Sequence, residues 1–405
     1  VHGEPLQVSS PGQLNIHQGP DFLDARIKIG DTWWAGTIEL HVAASDWEKH
    51  AHRKDKNYRN VILHVVWVND TETPALSGER EIPTLVLEHR VSKWLLRQYE
   101  MWMKSRDLVP CQQQLRDVDE KVWGDWKLWL TEQRLQRRAG AIAADLKVNH
   151  GHWEETCWWL MAKTFGGPVN GAAFEIIARS LPLATLARLG EDQLEALLLG
   201  QAGLLEGAFQ DEHPRRLQQE FHHLRVKYSL PTHPVPAHFL RMRPGNFPTI
   251  RLAQLAGLLK GGAFWFSRCK ETRSFEELKG LMEVAAAGYW DDHYIPDRPS
   301  VRRVKRLSGG VKDSLLINVF IPLLYAYGMQ RNEPELRERA MDWLRALPAE
   351  KNAVIERWKR LGVGCHCAGD SQALLELKKH YCDQKNCLQC AIGKDILCGP
   401  DRQSG

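Results

Sequence analysis

The most constraining stretch of the chain is residues 18–42, because its residue pattern suits little besides a β-hairpin. Two segments, FLDARIKI and TWWAGTIELHV, each alternate apolar and polar residues, as strands with one buried face do. Gly30 and Asp31 lie between them and have the composition of a tight turn. We therefore predict two antiparallel strands joined at Gly30 and Asp31.

The second of these strands carries polar residues on one face. Successive side chains of a strand point to opposite faces, so Glu39 and His41 lie together and opposite Leu40. Asp21 follows Pro20 at the point where the first strand begins. Because a hairpin returns the chain alongside itself, we expect Asp21 to lie near Glu39. Two carboxylates and one imidazole would then share a polar edge of the sheet.

This arrangement resembles the motif of the PD-(D/E)XK nuclease superfamily. In that superfamily an aspartate at a strand start and an acidic-x-lysine triplet on the adjacent strand hold a divalent metal. The matching residues here are Pro20-Asp21 and Glu39-Leu40-His41, with His41 where the superfamily normally has lysine. Residues 45–60 then have the pattern of a capped polar helix, and residues 61–68 that of a buried strand. The resemblance implies a restriction-endonuclease-like mixed sheet.

The resemblance also implies a chemistry for these residues. Asp21, Glu39 and the backbone carbonyl of Leu40 would coordinate Mg²⁺ or Mn²⁺, since carboxylates are natural ligands of hard cations. Such an ion lowers the pKa of an attacking water, which His41 would orient or deprotonate. His41 as a ligand of a softer ion such as manganese is a further possibility. The alternative for these side chains is a structural polar network at the sheet edge.

Three more histidines and two lysines follow the motif closely. We interpret His50 and His52 as part of the solvated face of the predicted helix, and His64 as a core histidine of the next strand. Lys54 or Lys56, on the same segment as the first two, would be available to replace the missing motif lysine in space.

Nearly the whole chain resembles a second, uncharacterised family. The resemblance depends on the blocks GPDF, GTIELH, SDWEKHAH, NVILHVV, EALLLGQAGLL, RPGNFPTIRLAQLA, LLINVFIPLLYAYG, SQALLELKKHYC and CLQCAIG. As a set they are similar to a bacterial family known only as a domain of unknown function. No tested activity comes with that resemblance.

Composition is that of a soluble globular protein. Of the 405 residues, 43% are hydrophobic and 26% are charged, and the net charge of +4 permits a nucleic-acid partner without requiring one. The sequence has no apolar run of about 18 residues, so we expect no membrane span and a cytoplasmic location. The chain starts with Val1, so we expect that the native start is not part of this sequence.

We predict an α+β fold with three parts. Residues 1–106 form the nuclease-like α/β domain, which a strand at residues 84–88 completes. After a linker around Pro110, residues 115–360 show apolar residues at helical spacing, separated by breaks rich in glycine, proline or aspartate. They predict a larger all-α domain. Residues 361–405 form a cysteine-rich, metal-binding C-terminal segment.

The cysteines are concentrated in that segment. Six of the nine follow residue 360, and three of them have the spacing C-x4-C-x2-C. In a cytosolic protein this density is typical of a metal site, either zinc or an iron–sulfur cluster. The candidate ligands are Cys382, Cys387 and Cys390, and the fourth position is open among Cys365, Cys367, Cys398 and His380. Cys111, Cys157 and Cys269 are interpreted as buried reduced thiols. We expect a structural centre that fixes the C-terminal segment to the helical domain.

Basic residues cluster in three segments, residues 132–140, 238–252 and 298–307. The third has the composition of an exposed loop, and its arginines and lysine are the strongest candidates for contacts to nucleic-acid phosphates. They are Arg298, Arg302, Arg303, Lys305 and Arg306.

Two functions follow from these patterns. The first is a divalent-metal-dependent nuclease that hydrolyses DNA or RNA, with the α/β domain as catalyst and the helical domain as substrate grip. The alternative is a non-catalytic nucleic-acid-binding or scaffold protein that retains the nuclease-like fold.

Overall fold

The sheet predicted from the alternating residues of the N-terminal part is present. In the computed structural model, which describes residues 3–77, 79–231 and 235–398, the chain forms two compact units. One comprises residues 1–106 with the residues from 397, and the other residues 107–396. The first contains a mixed sheet and the second is mostly helical, which confirms the α+β fold class.

The first unit is organised around a six-stranded mixed sheet with the order β1-β3-β4-β5-β8, in which β2 also pairs with β3. β6 and β7 pair with each other outside it. The strands are β1 (Leu6–Ser10), β2 (Gln13–Leu14), β3 (Phe22–Ile29), β4 (Thr32–Ala43), β5 (Val61–Val68), β6 (Leu76–Ser77), β7 (Arg80–Glu81) and β8 (Thr84–Val86). β3 and β4 are the predicted antiparallel hairpin, while β5 runs parallel to β4 and β8 parallel to β5.

A β-bulge sets the register of the hairpin. Phe22 pairs with Ile38 and Ala25 pairs with Gly36, so β3 contains one more residue than β4 between these pairs. Asp24, inside the bulge, has a φ of 58°. Side chains alternate between the two faces of a strand with a period of two. An extra residue therefore moves the side chains beyond it to the opposite face. The residue before Phe22 therefore lies beside the residue after Ile38.

The connection from β4 to β5 differs from the prediction. The single helix expected over residues 45–60 is wrong: a short helix α1 (Asp46–Lys49) is followed by two 3₁₀ turns, His52–Lys54 and Lys56–Tyr58. The helix ends because Ala51 adopts the left-handed conformation, with a φ of 56°. This break turns the next residue, His52, toward the interior, where it is buried.

A small core holds this connection against the sheet. It consists of Trp47, Tyr58, Val61, Ala75 and Ile82, all of which are buried. The indole Nε1 of Trp47 donates a hydrogen bond of 3.1 Å to the carbonyl of residue 76. The connection is thus packed over one face of β4 and β5.

Helices follow the sheet for most of the remaining chain. They are α2 (Lys93–Lys104), α3 (Glu120–Val148), α4 (Trp153–Ser180), α5 (Leu183–Leu186), α6 (Glu191–Gln201), α7 (Glu212–Lys227), α8 (Pro248–Lys260), α9 (Trp265–Glu271), α10 (Phe275–Leu281), α11 (Gly309–Leu315), α12 (Ile321–Arg331), α13 (Pro334–Ala346), α14 (Ala353–Arg360), α15 (Ala368–Leu377) and α16 (Ala391–Cys398). Two short strands, β9 (His293–Ile295) and β10 (Arg298–Pro299), form a ribbon between α10 and α11.

The most apolar helix lies in the core of the helical unit. α11 and α12 are joined by a π-helical turn into one stretch, Gly309–Arg331, whose length and composition would also suit a membrane span. In the structure 67% of its most apolar window is buried, and a core helix of a soluble protein meets the same criteria. Leu315, Phe320 and Leu323 in this stretch have no exposed surface.

Charged residues join α3 to α15. Arg137 donates two hydrogen bonds to Glu376, at 3.2 and 2.5 Å, and Arg134 donates one at 3.3 Å. Glu376 is buried, and the guanidinium groups hold its pKa below the usual range against the opposing effect of burial. The basic residues of segment 132–140 are therefore partly used inside the protein.

Close packing between α6 and α7 gives a test of the helical unit. A Cβ added at Gly200 in α6 would lie 2.2 Å from the ring of Phe221. Alanine normally stabilises a helix by up to about 1 kcal/mol relative to glycine, but overpacking costs about 1–3 kcal/mol. We expect Gly200→Ala to lower the free energy of unfolding, measured by denaturant titration, whereas Gly140→Ala, in open space on α3, raises it or leaves it unchanged. A stabilised Gly200→Ala would contradict this packing.

Candidate metal centre

Asp21 and Glu39 are brought together as predicted. The backbone amide of Asp21 donates a 3.1 Å hydrogen bond to Oε2 of Glu39. In return, Oδ2 of Asp21 accepts a 2.9 Å hydrogen bond from the amide of Leu40. These two bonds fix both carboxylates on the edge shared by β3 and β4, and they leave Oε1 of Glu39 facing the connection between β4 and β5.

Glu39 lies in a protected position for a carboxylate. Its side chain is 8% exposed, and its pKa is raised to about 7. Burial is the main cause, the negative charge of Asp21 adds to it, and the hydrogen bond from the Asp21 amide opposes it. Near neutral pH this carboxyl group is consequently poised between its neutral and its charged form.

Two imidazoles face the free oxygen of Glu39, and a third contacts one of them. Nε2 of His41 and Nε2 of His52 each lie 3.5 Å from Oε1, and Nε2 of His41 lies 3.2 Å from Nδ1 of His50. The ring nitrogens of His41, His50 and His52 all lie within 4.8 Å of one another, and we call these three residues the histidine cluster. Among the residues that the structure describes, this is the one group of at least three possible metal ligands whose donor atoms all lie within that distance of one another.

These spacings are those of ligands around a single metal ion. Donor atoms bonded to one first-row metal at about 2.1 Å lie roughly 3.0 to 3.5 Å from one another. The buried Nε2 of His52 has no hydrogen-bond partner among the described residues, although burial of such an atom is costly. The histidine cluster therefore fits a metal ion, with His50 on its exposed side and with Oε1 of Glu39 close to His41 and His52.

His64 supports the cluster from behind. Its Nε2 lies 2.8 Å from Nδ1 of His41, and its side chain is fully buried. If Nε2 of His41 faces a metal, its Nδ1 carries the proton and donates it to His64. Such a hydrogen bond fixes both the orientation and the tautomer of a metal-binding histidine.

Aromatic packing keeps the imidazoles neutral. The ring of His52 stacks on that of Tyr58 at 3.8 Å, and Trp47 contacts His41, His52 and His64 edge-on or at a tilt. Burial, together with the smaller effect of neighbouring imidazoles, lowers the pKa of His52 and that of His64 to about 4. Burial and the charge of His50 likewise lower the pKa of His41. Neutral imidazole is the form that binds metals.

The sequence-based interpretation of the histidines is right for His64 and needs correction for His52. His64 is a fully buried residue of β5, as predicted, and His50 is exposed, although it also contacts His41. His52 is buried beside Glu39 instead of lying on a solvated helix face. Lys54 and Lys56 are exposed, so the predicted replacement for the motif lysine is not supported. The spacing His41-x8-His50-x-His52 is the signal that would have found the cluster.

Comparison with known proteins places the chain in a family. A family model described as "Protein of unknown function (DUF2851)" matches residues 1–353. The chain belongs to this family. The predicted resemblance to an uncharacterised family is thereby confirmed, and the match includes the sheet, the histidine cluster and most of the helical unit. No curated protein and no solved structure was found to match the chain.

In this DUF2851 protein the predicted C-terminal ligands lie in separate places. Cys367 is the N-cap of α15, where its sulfur accepts a hydrogen bond from the amide of Asp370, and Cys365 contacts Ser371. Cys382 follows fifteen residues after Cys367, at the other end of a continuous helical stretch. Fifteen residues of helix span roughly 20 Å. Cys365 and Cys367 therefore cannot share a metal ion with Cys382, and that part of the predicted ligand set is wrong.

His380 is also directed away from Cys382. Its Nε2 lies 3.6 Å from Glu376, one helical turn earlier. Residues two positions apart on a helical stretch do not face each other, so His380 and Cys382 point to different sides. The remaining predicted ligands are Cys382, Cys387 and Cys390.

The predicted phosphate-binding residues divide into two groups. Arg298, Arg302, Arg303 and Arg306 are exposed. Lys305 is buried instead: its Nζ donates a 2.7 Å hydrogen bond to the carbonyl of residue 291 and lies 4.2 Å from the ring centre of residue 294. Its ammonium group is thus used to hold the loop, which makes the predicted phosphate contact of Lys305 wrong.

Removal of cluster residues tests the metal centre. We expect His52→Ala to weaken Mn²⁺ binding, measured by isothermal titration calorimetry, by about 100-fold, and His64→Gln to weaken it by about 10- to 100-fold, because His64 positions a ligand. His89→Ala is the matched control, since the side chain of His89 is 89% exposed. Equal affinity in the His52 variant and this control would contradict a metal site here.

The raised pKa of Glu39 predicts how metal binding depends on pH. Below pH 7 Glu39 holds a proton that a metal must displace, whereas His52 is already neutral. We expect the affinity for Mn²⁺ to rise roughly tenfold between pH 6 and pH 8, as the carboxyl group ionises. Glu39→Gln should bind more weakly and show little of this rise. A wild-type affinity that is constant or falls over this range would exclude Glu39 as the ligand responsible.

Proposed function

We propose that this protein is a metal-dependent nuclease whose active site is formed by Asp21, Glu39 and the histidine cluster. The observation that carries the proposal is the convergence of two carboxylates and three imidazoles at one edge of a mixed sheet. Strands β3, β4 and β5 give the antiparallel hairpin followed by a parallel strand that the PD-(D/E)XK resemblance implies. The acidic residues also occupy the strand positions expected from that motif.

The ligand set favours a transition metal over Mg²⁺. Imidazole suits first-row transition metals, whereas Mg²⁺ prefers carboxylates, carbonyls and water. The three imidazoles of the histidine cluster, with Glu39 beside two of them, form a site for an ion such as Mn²⁺. When bound, the ion would polarise a phosphoryl oxygen and lower the pKa of an attacking water.

The protein's own residues then have distinct roles. Both ring nitrogens of His41 face other groups, the cluster on one side and His64 on the other. We therefore assign His41 as a ligand rather than as the base expected from the sequence. Asp21 keeps one carboxylate oxygen beyond the bond to Leu40, and it lies at the open edge of the site. It is the residue best placed to accept a proton from water.

A cleft in the helical unit offers a complementary surface for phosphates. It has a volume of about 710 Å³, and its lining includes Arg243, Arg251, Arg303 and Arg306, besides Lys305, whose ammonium group already binds the carbonyl of residue 291. No aspartate or glutamate is among the described residues that line it. Arg251 donates to the neutral side chains of Gln254 and Asn246, and burial lowers its pKa. We call this the arginine cleft, and its clustered positive charge supports a nucleic-acid partner.

Cleavage assays test the catalytic part of the proposal. With Mn²⁺ present, we expect wild-type protein to cleave labelled single- or double-stranded DNA or RNA, and Asp21→Ala and Glu39→Ala to lose at least about 100-fold in rate. Substrate affinity should change little in these variants, because the binding charge lies elsewhere. Binding that persists without any cleavage, in wild type and variants alike, would favour the non-catalytic alternative and overturn the nuclease.

Salt dependence tests the arginine cleft. Each lost phosphate contact lowers the slope of log affinity against log salt by about 1. We expect Arg303→Ala to show this loss in fluorescence anisotropy with an oligonucleotide. Arg302→Ala is the matched control, because Arg302 is an exposed neighbour of equal charge that does not line the cleft. The same slope in both variants would argue against the cleft as the binding surface.

A further inference from the structure

Arg251 differs from the other arginines of the arginine cleft. It is partly buried, whereas the other three arginines of the lining are exposed. Its guanidinium group donates hydrogen bonds of 3.0 Å to Oε1 of Gln254 and 2.5 Å to Oδ1 of Asn246. Both acceptors are neutral amides, and burial lowers the pKa of Arg251. Because a cation withdrawn from water is costly without an anion beside it, this position favours an anionic ligand.

A buried glutamine joins Arg251 to the basic segment of the cleft. Gln254 is 3% exposed, and its Nε2 donates hydrogen bonds of 3.0 and 3.2 Å to the carbonyls of residues 305 and 306. The Oε1 of the same amide accepts from Arg251, so one side chain holds this guanidinium beside the backbone that carries Arg306. A guanidinium has five N–H donors, so Arg251 is fixed in orientation and still has donors available for a ligand.

The size of the cleft limits which phosphates can reach Arg251. Its volume of about 710 Å³ is that of a pocket for a small molecule. A nucleic-acid duplex is too wide to enter such a pocket, and the phosphates on its outer surface would meet only the exposed arginines. The end of an unpaired strand is narrow enough to enter. The dimensions of the cleft therefore favour a strand end over a duplex.

The charge of the lining favours a terminal phosphate over an internal one. An internal phosphodiester carries a single negative charge, whereas a phosphate monoester carries about −1.5 to −2 at pH 7 and has three free oxygens. Guanidinium groups bind phosphate oxygens in pairs, so several arginines can contact one terminal phosphate together. Arg251 would contact it inside the cleft, and Arg303 and Arg306 would contact it from the exposed side.

We propose that the arginine cleft binds the terminal phosphate of an unpaired nucleic-acid strand, with Arg251 as the central contact. The identity of the ligand as nucleic acid rests on the proposed nuclease function. The proposal adds a substrate class to that function, namely strands with an unpaired and phosphorylated end.

Binding measured without catalysis tests the proposal. With EDTA present, fluorescence anisotropy compares one labelled single-stranded oligonucleotide, as DNA and as RNA, with a 5′-phosphate, a 3′-phosphate or hydroxyls at both ends. We expect one phosphorylated form to bind roughly tenfold more tightly than the unphosphorylated strand, and a blunt duplex to lose this advantage. Equal affinity with and without the phosphate, or an equal advantage in the duplex, would overturn the proposal.

Arginine-to-lysine variants test the contact itself. Arg251→Lys should lose most of the advantage of the phosphorylated end, because lysine keeps the charge but not the planar pair of donors. Arg302→Lys is the matched control, since Arg302 is exposed and does not line the cleft, and it should keep the advantage. Circular dichroism reports on the folding of both variants. An advantage that persists in a folded Arg251→Lys protein would exclude Arg251 as the central contact.

A competitor distinguishes a strand end from a free nucleotide. A nucleoside monophosphate should displace the phosphorylated strand only at concentrations well above those of the unlabelled strand, and equal potency would assign the cleft to free nucleotides instead. Failure of this inference is distinct from failure of the nuclease. Cleavage with Mn²⁺ but without any end preference would refute only the inference, whereas an end preference in EDTA without cleavage in Mn²⁺ would refute only the nuclease.

Discussion

The first unit depends on the burial of a carboxyl group among imidazoles on one face of β4. An isolated buried charge is costly, and the cost falls when the group is protonated or paired. Glu39 has both routes available, because its pKa of about 7 keeps it near its titration point while the ring nitrogens of His41 and His52 lie 3.5 Å from its free oxygen. The packing of Trp47 and Tyr58 therefore protects the imidazoles on this face, which lie beside the carboxyl group.

The local alternation of apolar and polar residues explains which features of the first unit could be predicted from the sequence. The hairpin and the approach of Asp21 to Glu39 follow from a period of two and a short turn, which neighbouring residues determine. The positions of His50 and His52 depend on a helix that ends at Ala51, and no nearby residue indicates that break. It forms because Trp47 and Tyr58 both reach the same small core. Tertiary packing overrode a helical pattern here.

Distance along the chain explains why some predictions about the cysteines and the basic residues were wrong. The spacing of Cys382, Cys387 and Cys390 indicated a metal site, but spacing carries no information about residues that lie far away in sequence. Conversely, Cys365 and Cys367 are near Cys382 in sequence, but the helical stretch that begins with α15 separates them from it in space. Lys305 belongs to a basic run, yet a single backbone carbonyl and an aromatic ring are enough to bring it inside.

The bulge at Asp24 has a consequence for how this hairpin can evolve. Side-chain identity along β3 can vary wherever the new residue suits its face, but the number of residues cannot, because loss of one would turn the segment before the bulge over and carry its carboxylate to the far side of the sheet. Members of the family should thus tolerate substitutions here far more readily than insertions or deletions. Chain length between Asp21 and the turn is in this sense as much a part of the site as the carboxylate itself.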